Sequence, residues 1–588
     1  MNKPSTDQAR VINHFLGPAT VIAGPGSGKT FTIVHRVKSL IYDHNIPPDN
    51  ILVVTFSKKA SREMYLRFTT ETGINSVNIG TFHSIAFNIL KQDPNFKNLS
   101  LITEFEKRKI ISQILNNKVH KDVISEETVQ DALNMVSFYK NQGDPENKDL
   151  KFPFDKAIID EYDAFLRQIN KLDFDDMIVD CLEFLRTRAK SRAYYEDKFK
   201  FIIIDEFQDI NYPQYELIKE FAIKNKNIMA VGDDDQSIYA FRGTREGVFD
   251  SFKSDYECNT EFFLKENFRS KRNIVEFSDK VIKSNSLRIV KEPKAVFEGG
   301  KVNYINFSSY KEETDFIISL LKDMDEDERK NTAILVRNNN DLKLYKGYLS
   351  AHELKLSEYH KKDIRLEDEK IFSDIVSYLK FIFEKKKRSD FLKIMNKPMR
   401  YIQREALIDE NDIFNSLFIY YQNNRAMLKT VKELENKINF AASLGCVNAV
   451  NYIANVLGYK ECMSSDPDSE KKLDLIKDYF KDHTKGESIE GYILKKRSNI
   501  LPDKEDRYER SEGINILTMH SSKGLEFDTV ILPNVNEGIM PAKELTKKAL
   551  EEERRLFYVA LTRAKDNLYI FSTSERNRKV SSFIKDLI

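Results

Sequence analysis

Short runs of β-branched and other apolar residues alternate with amphipathic segments in two separate parts of the chain. Such runs predict buried strands, and the amphipathic segments between them predict helices that cover a parallel sheet. In the first half, the predicted strands are Thr20–Ala23, Ile51–Thr55, Val77–Gly80, Phe201–Ile204, Ile228–Val231 and Phe262–Leu264. In the second half, they are Ala333–Val336, Ile514–Thr518, Val530–Leu532 and Leu568–Phe571. The two clusters predict an α/β fold with two parallel sheets.

Two stretches between these strands have helical periodicity and few strand signals. One runs from about Asn95 to Lys190, and the other runs from about Glu384 to Arg510. Each stretch follows one α/β segment and precedes another. Each is therefore predicted to be a mainly helical insertion into a sheet-containing domain.

Composition narrows the class of protein. The chain has 588 residues, 41% of them hydrophobic, which predicts about three to five domains with packed cores. Lys and Arg number 93 against 92 Asp and Glu, so the net charge of +1 neither indicates nor excludes a polyanionic partner. Four scattered cysteines exclude a disulfide framework and a CxxC metal site. Without a signal peptide or an apolar run of about 18 residues, a cytoplasmic protein without a membrane partner is expected.

A strand, a glycine-rich turn and the start of a helix coincide in Val21-Ile-Ala-Gly-Pro-Gly-Ser-Gly-Lys-Thr30. Glycines let the backbone wrap closely around phosphates, with N–H groups and a helix N-terminus facing the anion. Lys29 is predicted to reach the β- and γ-phosphates, and Thr30 to hold Mg²⁺. The residues of this phosphate loop are Ala23, Gly24, Pro25, Gly26, Ser27, Gly28, Lys29 and Thr30. The alternative, a glycine-rich surface turn, is disfavoured by the strand before it and the Lys-Thr pair after it.

A second apolar strand ends in two carboxylates, in Phe201-Ile-Ile-Ile-Asp-Glu206. Asp205 is predicted to lie near the Mg²⁺, and Glu206 near the attacking water. Water is a poor nucleophile at neutral pH, so hydrolysis needs a carboxylate that orients and deprotonates it. Together with the glycine loop, this pair predicts hydrolysis of a nucleoside triphosphate, but not the use to which the energy is put.

Further phrases extend the pattern along the chain. In order, they are Thr6-Asp-Gln-Ala9, the phosphate loop, Val54-Thr-Phe-Ser-Lys-Lys-Ala60, Gly80-Thr-Phe-His83, Leu172-Asp-Phe-Asp-Asp176, Asp205-Glu-Phe-Gln-Asp209, Val231-Gly-Asp-Asp-Asp-Gln-Ser-Ile-Tyr239, Glu266-Asn-Phe-Arg269, Thr518-Met-His-Ser-Ser-Lys-Gly-Leu-Glu-Phe527 and Glu551-Glu-Glu-Arg-Arg-Leu-Phe-Tyr-Val-Ala-Leu-Thr-Arg563. In this order the chain resembles the UvrD/Rep/PcrA-type superfamily I DNA helicases over nearly its whole length.

The resemblance implies two RecA-like motor domains, each a parallel-sheet α/β domain interrupted by a mainly helical subdomain. ATP is expected to bind with Mg²⁺ in the cleft between the motors. The implied boundaries are 1–92 and 189–270 for the first motor around an insertion at 93–188, and 271–383 and 511–588 for the second motor around an insertion at 384–510.

The resemblance also implies roles around the nucleotide. Gln8 would read the adenine edge, Gln236 would sense the γ-phosphate, and Glu526 would contact the ribose. Arg269 and Arg563 would act as arginine fingers, because cationic forks stabilise the charge that spreads over the transferring phosphoryl group. The alternative for Arg563 is an exposed helix cation that pairs with an acid such as Glu552 or Glu553.

For single-stranded DNA, the resemblance implies a track of aromatic and basic side chains. Aromatic rings suit this task because every base has a π-face. The residues matched to the track are Phe56, His83, Tyr239, Phe241, Arg242 and His520, with Arg337 and Asn339 expected at the backbone of the strand. Ordinary core packing is the alternative for the aromatic residues and the histidines.

Three departures from the family pattern stand out. Phe241 replaces a Trp of the track, and Phe31 replaces an Arg beside the adenine, where Phe268 is expected on the other face of the base. Arg400-Tyr-Ile-Gln-Arg404 stands where relatives carry a Gly-Ile-Gly hairpin that approaches duplex phosphates. A nearby basic run, Lys385–Arg388, is either a phosphate-contacting patch or a solvated helix face.

Taken together, the resemblance implies an ATP-dependent 3′-to-5′ single-stranded DNA translocase and helicase that acts at single-strand/duplex junctions. The alternative is an ATP-driven remodelling or sensor subunit, which strips proteins from DNA or serves a partner nuclease with little unwinding alone. A small-molecule kinase is disfavoured, because Gln208, Gln236 and the late arginine motif have no role in one.

Overall fold

The computed structural model describes residues 3–93, 96, 100–118, 126–142, 157–239, 243–244, 247–357, 370–384, 386–407, 409, 412–463, 473–474, 476–477, 479–481, 483–484, 488–489, 492 and 513–587. The chain forms two compact units. Unit 1 comprises Met1–Ser357 and Glu512–Ile588, and unit 2 comprises Glu358–Ser511. Among the described helices, none combines the length and the apolar character needed to cross a lipid bilayer.

Strands and helices alternate along unit 1, and the helices between residues 370 and 455 belong to unit 2. The strands are β1 (Ala19–Ala23), β2 (Ile51–Thr55), β3 (Asn78–Thr81), β4 (Ser100–Leu101), β5 (Lys171–Leu172), β6 (Phe201–Ile204), β7 (Ile228–Gly232), β8 (Glu261–Leu264), β9 (Glu266–Asn267), β10 (Lys294–Ala295), β11 (Lys301–Phe307), β12 (Thr332–Val336), β13 (Asn515–Thr518), β14 (Phe527–Leu532) and β15 (Ala564–Thr573). The helices are α1 (Thr6–Asn13), α2 (Lys29–Tyr42), α3 (Lys58–Thr72), α4 (Phe82–Leu90), α5 (Glu104–Lys118), α6 (Glu126–Gln142), α7 (Ala157–Gln168), α8 (Phe174–Thr187), α9 (Ala189–Lys198), α10 (Tyr212–Ala222), α11 (Val248–Asp255), α12 (Arg272–Ile282), α13 (Tyr310–Asp323), α14 (Glu326–Lys330), α15 (Asn339–Ala351), α16 (Lys370–Phe383), α17 (Arg388–Ile394), α18 (Ile413–Tyr420), α19 (Arg425–Ala441), α20 (Cys446–Asn455) and α21 (Lys547–Leu561).

The first sheet of unit 1 has six strands in the order β3-β2-β6-β7-β1-β8, and all of them run parallel. Every residue of β1, β2, β6 and β7 is buried, because helices cover both faces of a parallel sheet. The carboxyl ends of these strands therefore meet at one edge. The phosphate loop, Asp205 and the segment from Asp233 to Gln236 all follow strands at this edge.

The second sheet has five parallel strands in the order β11-β15-β14-β12-β13. The predicted α/β fold with two parallel sheets is therefore confirmed. Every predicted strand overlaps an observed one, but β11 is missing from the prediction. Among the described strands, β11 pairs with β15 alone, at the sheet edge. It carries Asn303 and the exposed Asn306 among half-buried residues, so its apolar pattern is weak.

Helices α5, α6 and α7 of unit 1 pack around a core of their own that includes Ile111, Met135 and Tyr162. Two buried ammonium groups tie these helices to the start of α8. Lys107 Nζ lies 2.5 Å from Asp173 Oδ1, and Lys140 Nζ lies 2.6 Å from Asp176 Oδ1. Paired burial of this kind holds the helices in one arrangement, because separating either pair would leave a buried charge.

Unit 2 has a helical core that includes side chains of α16 to α20. The unit begins at Glu358, before residue 384, where the second insertion is predicted to begin. The reason is that α16 buries Ile375, Tyr378 and Leu379 in this core. The domain boundaries given above stay predictions.

Candidate nucleotide and nucleic-acid site

The phosphate loop joins the end of β1 at Ala23 to the start of α2 at Lys29. Gly26 and Gly28 have φ angles of +68° and +78°, a left-handed region that favours glycine. A Cβ atom on Gly26 would lie 2.6 Å from Arg269 Cβ, and one on Gly28 would lie 2.6 Å from Gln8 Nε2. Both positions therefore require glycine.

The predicted adenine reader, Gln8, packs against the phosphate loop and is buried. Its Nε2 donates to the Ser27 carbonyl over 3.0 Å, and its Oε1 accepts from the Ser5 amide over 3.0 Å. The second bond caps the start of α1. The Ser27 hydroxyl is buried and has no hydrogen-bond partner among the described residues, which leaves an unused polar atom inside the loop.

The two predicted acids follow β6 directly. The Asp205 amide donates to the Val54 carbonyl over 2.8 Å, and the Asp205 carboxylate accepts from the Glu206 amide over 3.0 Å. Glu206 takes a left-handed backbone with φ +54°, and its carboxylate accepts from Gln208 Nε2 over 2.5 Å. Lys29 Nζ lies 3.8 Å from Glu206 Oε1, so the structure brings the predicted lysine and the predicted base together.

The two carboxylates differ in their electrostatic surroundings. Burial raises the pKa of Asp205, and the charge of Glu206 adds to that effect. Burial acts in the same direction at Glu206, but the positive charges of Lys29 and Lys523 outweigh it and hold the pKa of Glu206 below its usual value. Glu206 is therefore ionised at neutral pH, which is the form that a general base needs.

Gln236 lies in the turn after β7, at the same edge of the first sheet. Its Nε2 donates to Asp233 Oδ2 over 2.7 Å, and its Oε1 accepts from Arg563 Nη2 over 3.3 Å. The Asp233 amide donates to Gln208 Oε1 over 2.9 Å. Asp233 and Gln208 therefore link Gln236 to Glu206 through a chain of hydrogen bonds.

Arg563 follows α21 and begins the turn into β15, on the side of the second sheet. Its side chain is almost entirely buried, with 2% exposed, so the alternative of an exposed helix cation is wrong. Its Nε donates to the Val559 carbonyl over 2.9 Å, and its Nη1 donates to the Leu525 carbonyl over 3.1 Å. Burial lowers the pKa of Arg563 to about 9. A bound anion would stabilise the charged form of this buried guanidinium.

The other predicted arginine finger faces the predicted ribose contact. Arg269 Nε donates to Glu526 Oε2 over 2.8 Å, and Arg269 Nη1 donates to the Thr562 carbonyl over 3.4 Å. Lys565 Nζ lies 3.0 Å from the other Glu526 oxygen. Burial would raise the pKa of Glu526, but Arg269 and Lys565 lower it below its usual value.

A residue without a predicted role, Asn267, fixes the loop that carries Phe268 and Arg269. Its Nδ2 donates to the Pro25 carbonyl over 2.9 Å, and its Oδ1 accepts from the Arg269 amide over 2.8 Å. The Phe268 amide donates to the Gly26 carbonyl over 2.8 Å. The motif Glu266-Asn-Phe-Arg269 indicated this role of Asn267, because an Asn side chain often bonds to the backbone of neighbouring residues.

The predicted aromatic residues at the adenine both lie beside the phosphate loop. The Phe268 ring is 40% exposed. The Phe31 ring lies 3.9 Å from the His35 ring, centroid to centroid, and the Arg67 guanidinium lies 5.7 Å from the centre of the Phe31 ring. A cation thus lies near the position where the family pattern is expected to have an Arg.

Three of the predicted track residues line one cavity of about 570 Å³, namely Phe56, His83 and Tyr239. The Phe56 and Tyr239 rings are stacked, with centroids 5.2 Å apart and planes at 16°. The His83 ring packs edge-on against Phe174, and burial lowers the pKa of His83. A neutral imidazole beside two rings suits contact with bases better than contact with phosphates.

Lys523 links this cavity to the nucleotide side and had no predicted role. Its Nζ contacts the Asp209 carboxylate and donates to the Gln236 carbonyl over 2.8 Å. The same ammonium lies 5.1 Å from the centre of the Tyr239 ring. The phrase from Thr518 to Phe527 contained this lysine, but its partners come from the other sheet.

The remaining residues that are predicted to contact DNA lie in different surroundings. Arg337 forms a two-pronged ion pair with Glu553 of α21, with Nε 3.0 Å from Oε1, so its charge is matched inside the protein. Asn339 begins α15 and is exposed, and His520 begins a short 3₁₀ turn. Phe241 and Arg242 lie outside the described residues.

In unit 2, the segment from Arg400 to Arg404 uses its polar groups within the protein. The Ile402 amide donates to Asn396 Oδ1 and the Gln403 amide to the Tyr421 hydroxyl, over 2.9 and 2.8 Å. Arg400 Nη1 donates to the Met395 carbonyl over 3.1 Å. Tyr401 takes a left-handed backbone with φ +56° and is 77% exposed.

The nearby basic run is only partly described. Lys385 lies outside the described residues. Lys386 Nζ donates to Asn439 Oδ1 over 2.9 Å, and Lys397 Nζ lies 2.5 Å from Asp374 Oδ1. The Asp374 carboxylate offsets the charge of Lys397, whereas the Asn439 amide is neutral and does not offset the charge of Lys386.

Three features together define a two-sheet P-loop nucleoside triphosphatase: a glycine-rich phosphate loop, two acids after a neighbouring strand, and two arginines, of which Arg269 follows β9 and Arg563 leads into β15 of the second sheet. Residues 4–257 match the family model of the UvrD/REP helicase N-terminal domain, and residues 262–575 match that of the UvrD-like helicase C-terminal domain. The chain therefore belongs to the UvrD-like helicase family, and the resemblance to UvrD/Rep/PcrA-type helicases is confirmed. It is an enzyme of the ATP-dependent DNA helicase class.

Two curated relatives are similar along nearly the whole chain. The ATP-dependent DNA helicase PcrA of Staphylococcus aureus (strain Mu50) is 29% identical over 630 aligned residues, which cover 98% of this chain and 84% of the relative. The ATP-dependent DNA helicase PcrA of Staphylococcus epidermidis (strain RP62A) is 28% identical over 625 aligned residues, which cover 97% of this chain and 83% of the relative.

Proposed function

We propose that the chain is a 3′-to-5′ translocase on single-stranded DNA, which couples ATP hydrolysis between its two sheets to stepping along DNA and to unwinding it. One observation carries the proposed coupling of the two sites, whereas the proposed direction rests on motifs whose order and identity resemble those of 3′-to-5′ helicases. The short segment from Asp233 to Tyr239 reaches both sites, since Gln236 bonds to Arg563 while Tyr239 stacks on Phe56. A shift of this segment during turnover would therefore move an aromatic ring of the track.

The phosphate loop would hold the phosphates of ATP, with Lys29 at the β- and γ-phosphates. Glu206 would orient the attacking water and accept its proton, while the bond between the γ-phosphorus and the ADP oxygen breaks. Arg269 and Arg563 would stabilise the negative charge of the transition state.

The residues at the loop also fit Mg²⁺. A Thr hydroxyl and a carboxylate are the oxygen ligands that Mg²⁺ takes beside nucleotide phosphates, and Thr30 and Asp205 supply them. Glycines at positions where a Cβ would clash, together with the unused Ser27 hydroxyl, support a loop built around a polar anion. Bound Mg²⁺ supplies positive charge that neutralises the phosphates.

For the base, Phe31 and Phe268 would flank the adenine, and Gln8 would exchange its bond to Ser27 for one to the adenine edge. Glu526 would leave Arg269 to contact the ribose. These exchanges release Arg269 for the phosphates, so binding of the nucleotide and assembly of the arginine finger would occur together.

The DNA strand would run along the stacked rings and past Phe241, Arg242, His83 and His520. Asn339 would contact the backbone of the strand. Arg337 would attract phosphates weakly, because Glu553 already matches its charge.

Polarity is tested with paired partial duplexes that carry either a 3′ or a 5′ single-stranded tail of the same sequence. Unwinding is measured as release of a labelled strand, and ATP hydrolysis is measured on the same substrates. We expect release only from the 3′-tailed duplex. Equal or faster release from the 5′-tailed duplex would overturn the proposed direction.

A second candidate is a DNA-remodelling or sensor ATPase with little unwinding alone. It is favoured by the segment from Arg400 to Arg404, where the amides of Ile402 and Gln403 are already bonded within the protein. Relatives are expected to offer a glycine hairpin to duplex phosphates at this position. Strong DNA-stimulated ATPase with removal of a bound protein from DNA, but without strand release, would favour this candidate over the first.

A further inference from the structure

A segment that we call the strap, residues 285–291, connects α12 to the strands that follow. Its first residues bind the start of α21. Asn285 Nδ2 donates to the Glu551 carbonyl over 2.9 Å, and the Ser286 hydroxyl donates to Glu551 Oε1 over 2.6 Å. Arg554 Nη1 donates to Asn285 Oδ1 over 2.6 Å. One end of the strap is thus fixed to the helix that precedes Arg563.

The other end of the strap binds the three aspartates after β7. Arg288 Nη2 donates to Asp235 Oδ2 over 2.6 Å, and its Nε donates to Asp235 Oδ1 over 3.0 Å. Lys291 Nζ contacts Asp233 and lies 2.5 Å from Asp234 Oδ1 and 2.8 Å from Asp235 Oδ2. One ammonium therefore touches all three carboxylates.

These charges are withdrawn from water. The side chains of Asp233 and Asp235 are 0% exposed, and that of Lys291 is 10% exposed. Three carboxylates face two cations, Lys291 and Arg288. Removal of the Lys291 ammonium would leave the buried charge of Asp233 without its ion-pair partner. The free-energy cost of such a charge is large enough to move the carboxylate.

Asp233 is the point at which this cluster meets the nucleotide site. Its Oδ1 faces Lys291, while its Oδ2 accepts from Gln236 Nε2 over 2.7 Å. Its amide donates to Gln208, whose own Nε2 bonds to Glu206. The position of the Asp233 carboxylate therefore sets where the Gln236 carboxamide lies relative to Arg563.

We infer that Lys291 is a positioning residue for ATP hydrolysis, which holds Asp233 and, through it, keeps Gln236 opposite Arg563 without touching the nucleotide. This inference rests on the proposed function, because it takes Gln236 as the sensor of the γ-phosphate. The rival explanation is a tether that contributes stability only. The two explanations differ in one consequence: a residue that contributes stability only would not need Gln236 for its effect on kcat.

The test compares Lys291→Met with Lys294→Met, an exposed lysine three residues further along the chain. ATPase is measured in the full chain with saturating single-stranded DNA, together with the affinity for a non-hydrolysable ATP analogue. For Lys291→Met we expect kcat to fall about tenfold, with KM and analogue affinity changed less than about threefold. Lys294→Met should behave as the parent protein.

A double-mutant cycle with Gln236→Ala separates positioning from tethering. If Lys291 acts through Gln236, kcat of the double variant equals that of Gln236→Ala alone. If the two effects multiply, Lys291 does not act through Gln236, and the inference is wrong. Parental kcat in Gln236→Ala itself would instead contradict the proposed role of Gln236. Parental kcat in Lys291→Met, with Gln236→Ala impaired, would overturn the inference alone.

Should Lys291→Met not fold, the variant that also carries Asp233→Asn removes both buried charges. The Asn oxygen can still accept from Gln236, but the ammonium that fixes it is gone. We expect kcat of this pair to stay about tenfold low. Recovery of parental kcat would mean that Lys291 is needed only for charge balance.

Discussion

Arg563 Nη2 lies 3.3 Å from Gln236 Oε1, and this contact joins the residue after α21 to the turn after β7. Because β7 belongs to the first sheet and Arg563 leads into β15 of the second, the bond crosses from one sheet-containing half to the other. The other Arg563 partners given by the structure are neutral oxygens, including the carbonyls of Val559 and Leu525. A buried guanidinium in such surroundings is well placed to meet a phosphate.

We expect Arg563→Met to lose turnover and Arg36→Met to lose stability instead. Arg36 is a matched control, since burial also lowers its pKa to about 9 and its guanidinium bonds to carbonyls of the chain around α1, including that of Val11. Loss of an arginine finger costs about 10³-fold or more in kcat. Steady-state ATPase and thermal unfolding of both variants check this. A similar loss of kcat per folded molecule in both variants would contradict the assignment.

Lys29→Ala and Glu206→Gln should fail at different steps. Lys29→Ala removes a cation from the phosphates, so both binding and turnover should fall. Glu206→Gln keeps the shape of the site and removes the proton acceptor, so the variant should bind ATP and lose hydrolysis. Fluorescent-nucleotide binding and phosphate release distinguish them, with Glu183→Gln on the exposed face of α8 as the control. Strong hydrolysis by Glu206→Gln would refute its role as the base.

The stacked pair Phe56 and Tyr239 yields a prediction about the DNA strand. Tyr239→Ala removes one ring of the stack, whereas Tyr239→Phe keeps it. Base–aromatic stacking contributes roughly 1–3 kcal/mol per base, so Tyr239→Ala should weaken single-strand binding about 5- to 150-fold. DNA-stimulated ATPase should fall with it, and ATPase without DNA should not. Equal binding by Tyr239→Ala and Tyr239→Phe would show that the ring does not meet the bases.

We expect Glu313 to make the stability of unit 1 depend on pH. Its carboxylate is fully buried between Tyr345 and the Asn534 amide, and burial raises its pKa from its usual value near 4.5 to about 7. Between these values the folded chain holds a proton that the unfolded chain has lost. Stability should therefore fall as pH rises through this window, by up to about 3 kcal/mol.

Urea unfolding midpoints at pH 5, 6, 7 and 8 test this effect in the parent and in Glu313→Gln. The variant cannot ionise at this position, so its midpoint should decline less over the same range. Glu312→Gln, an exposed neighbour on α13, is the control. Parallel pH profiles for the parent and Glu313→Gln would rule out Glu313 as the source.

The phosphate loop and the acids after β6 could be predicted from the sequence because their chemistry is local. Gly26, Gly28 and Lys29 act within one strand–turn–helix, and Asp205 and Glu206 follow directly on an apolar run. The exposed-cation alternative for Arg563 stayed open, because exposure depends on what packs over a helix end. The cluster around Lys291 was not predictable, since this lysine is 58 residues from Asp233 and no local pattern pairs them.

By itself, the sequence determined the class of protein: two parallel sheets, a nucleotide site at the strand ends and membership of the UvrD-like helicases. The spacing of apolar residues, the placement of glycines and the motifs in their order along the chain carry that information. Each of these patterns can be recognised within a few neighbouring residues. Only the tertiary structure decided which charges are matched, such as Arg337 with Glu553, and which polar groups are already bonded, such as the amide of Gln403. Partners of that kind come from distant parts of the chain, and their distances are set by how whole helices and sheets pack.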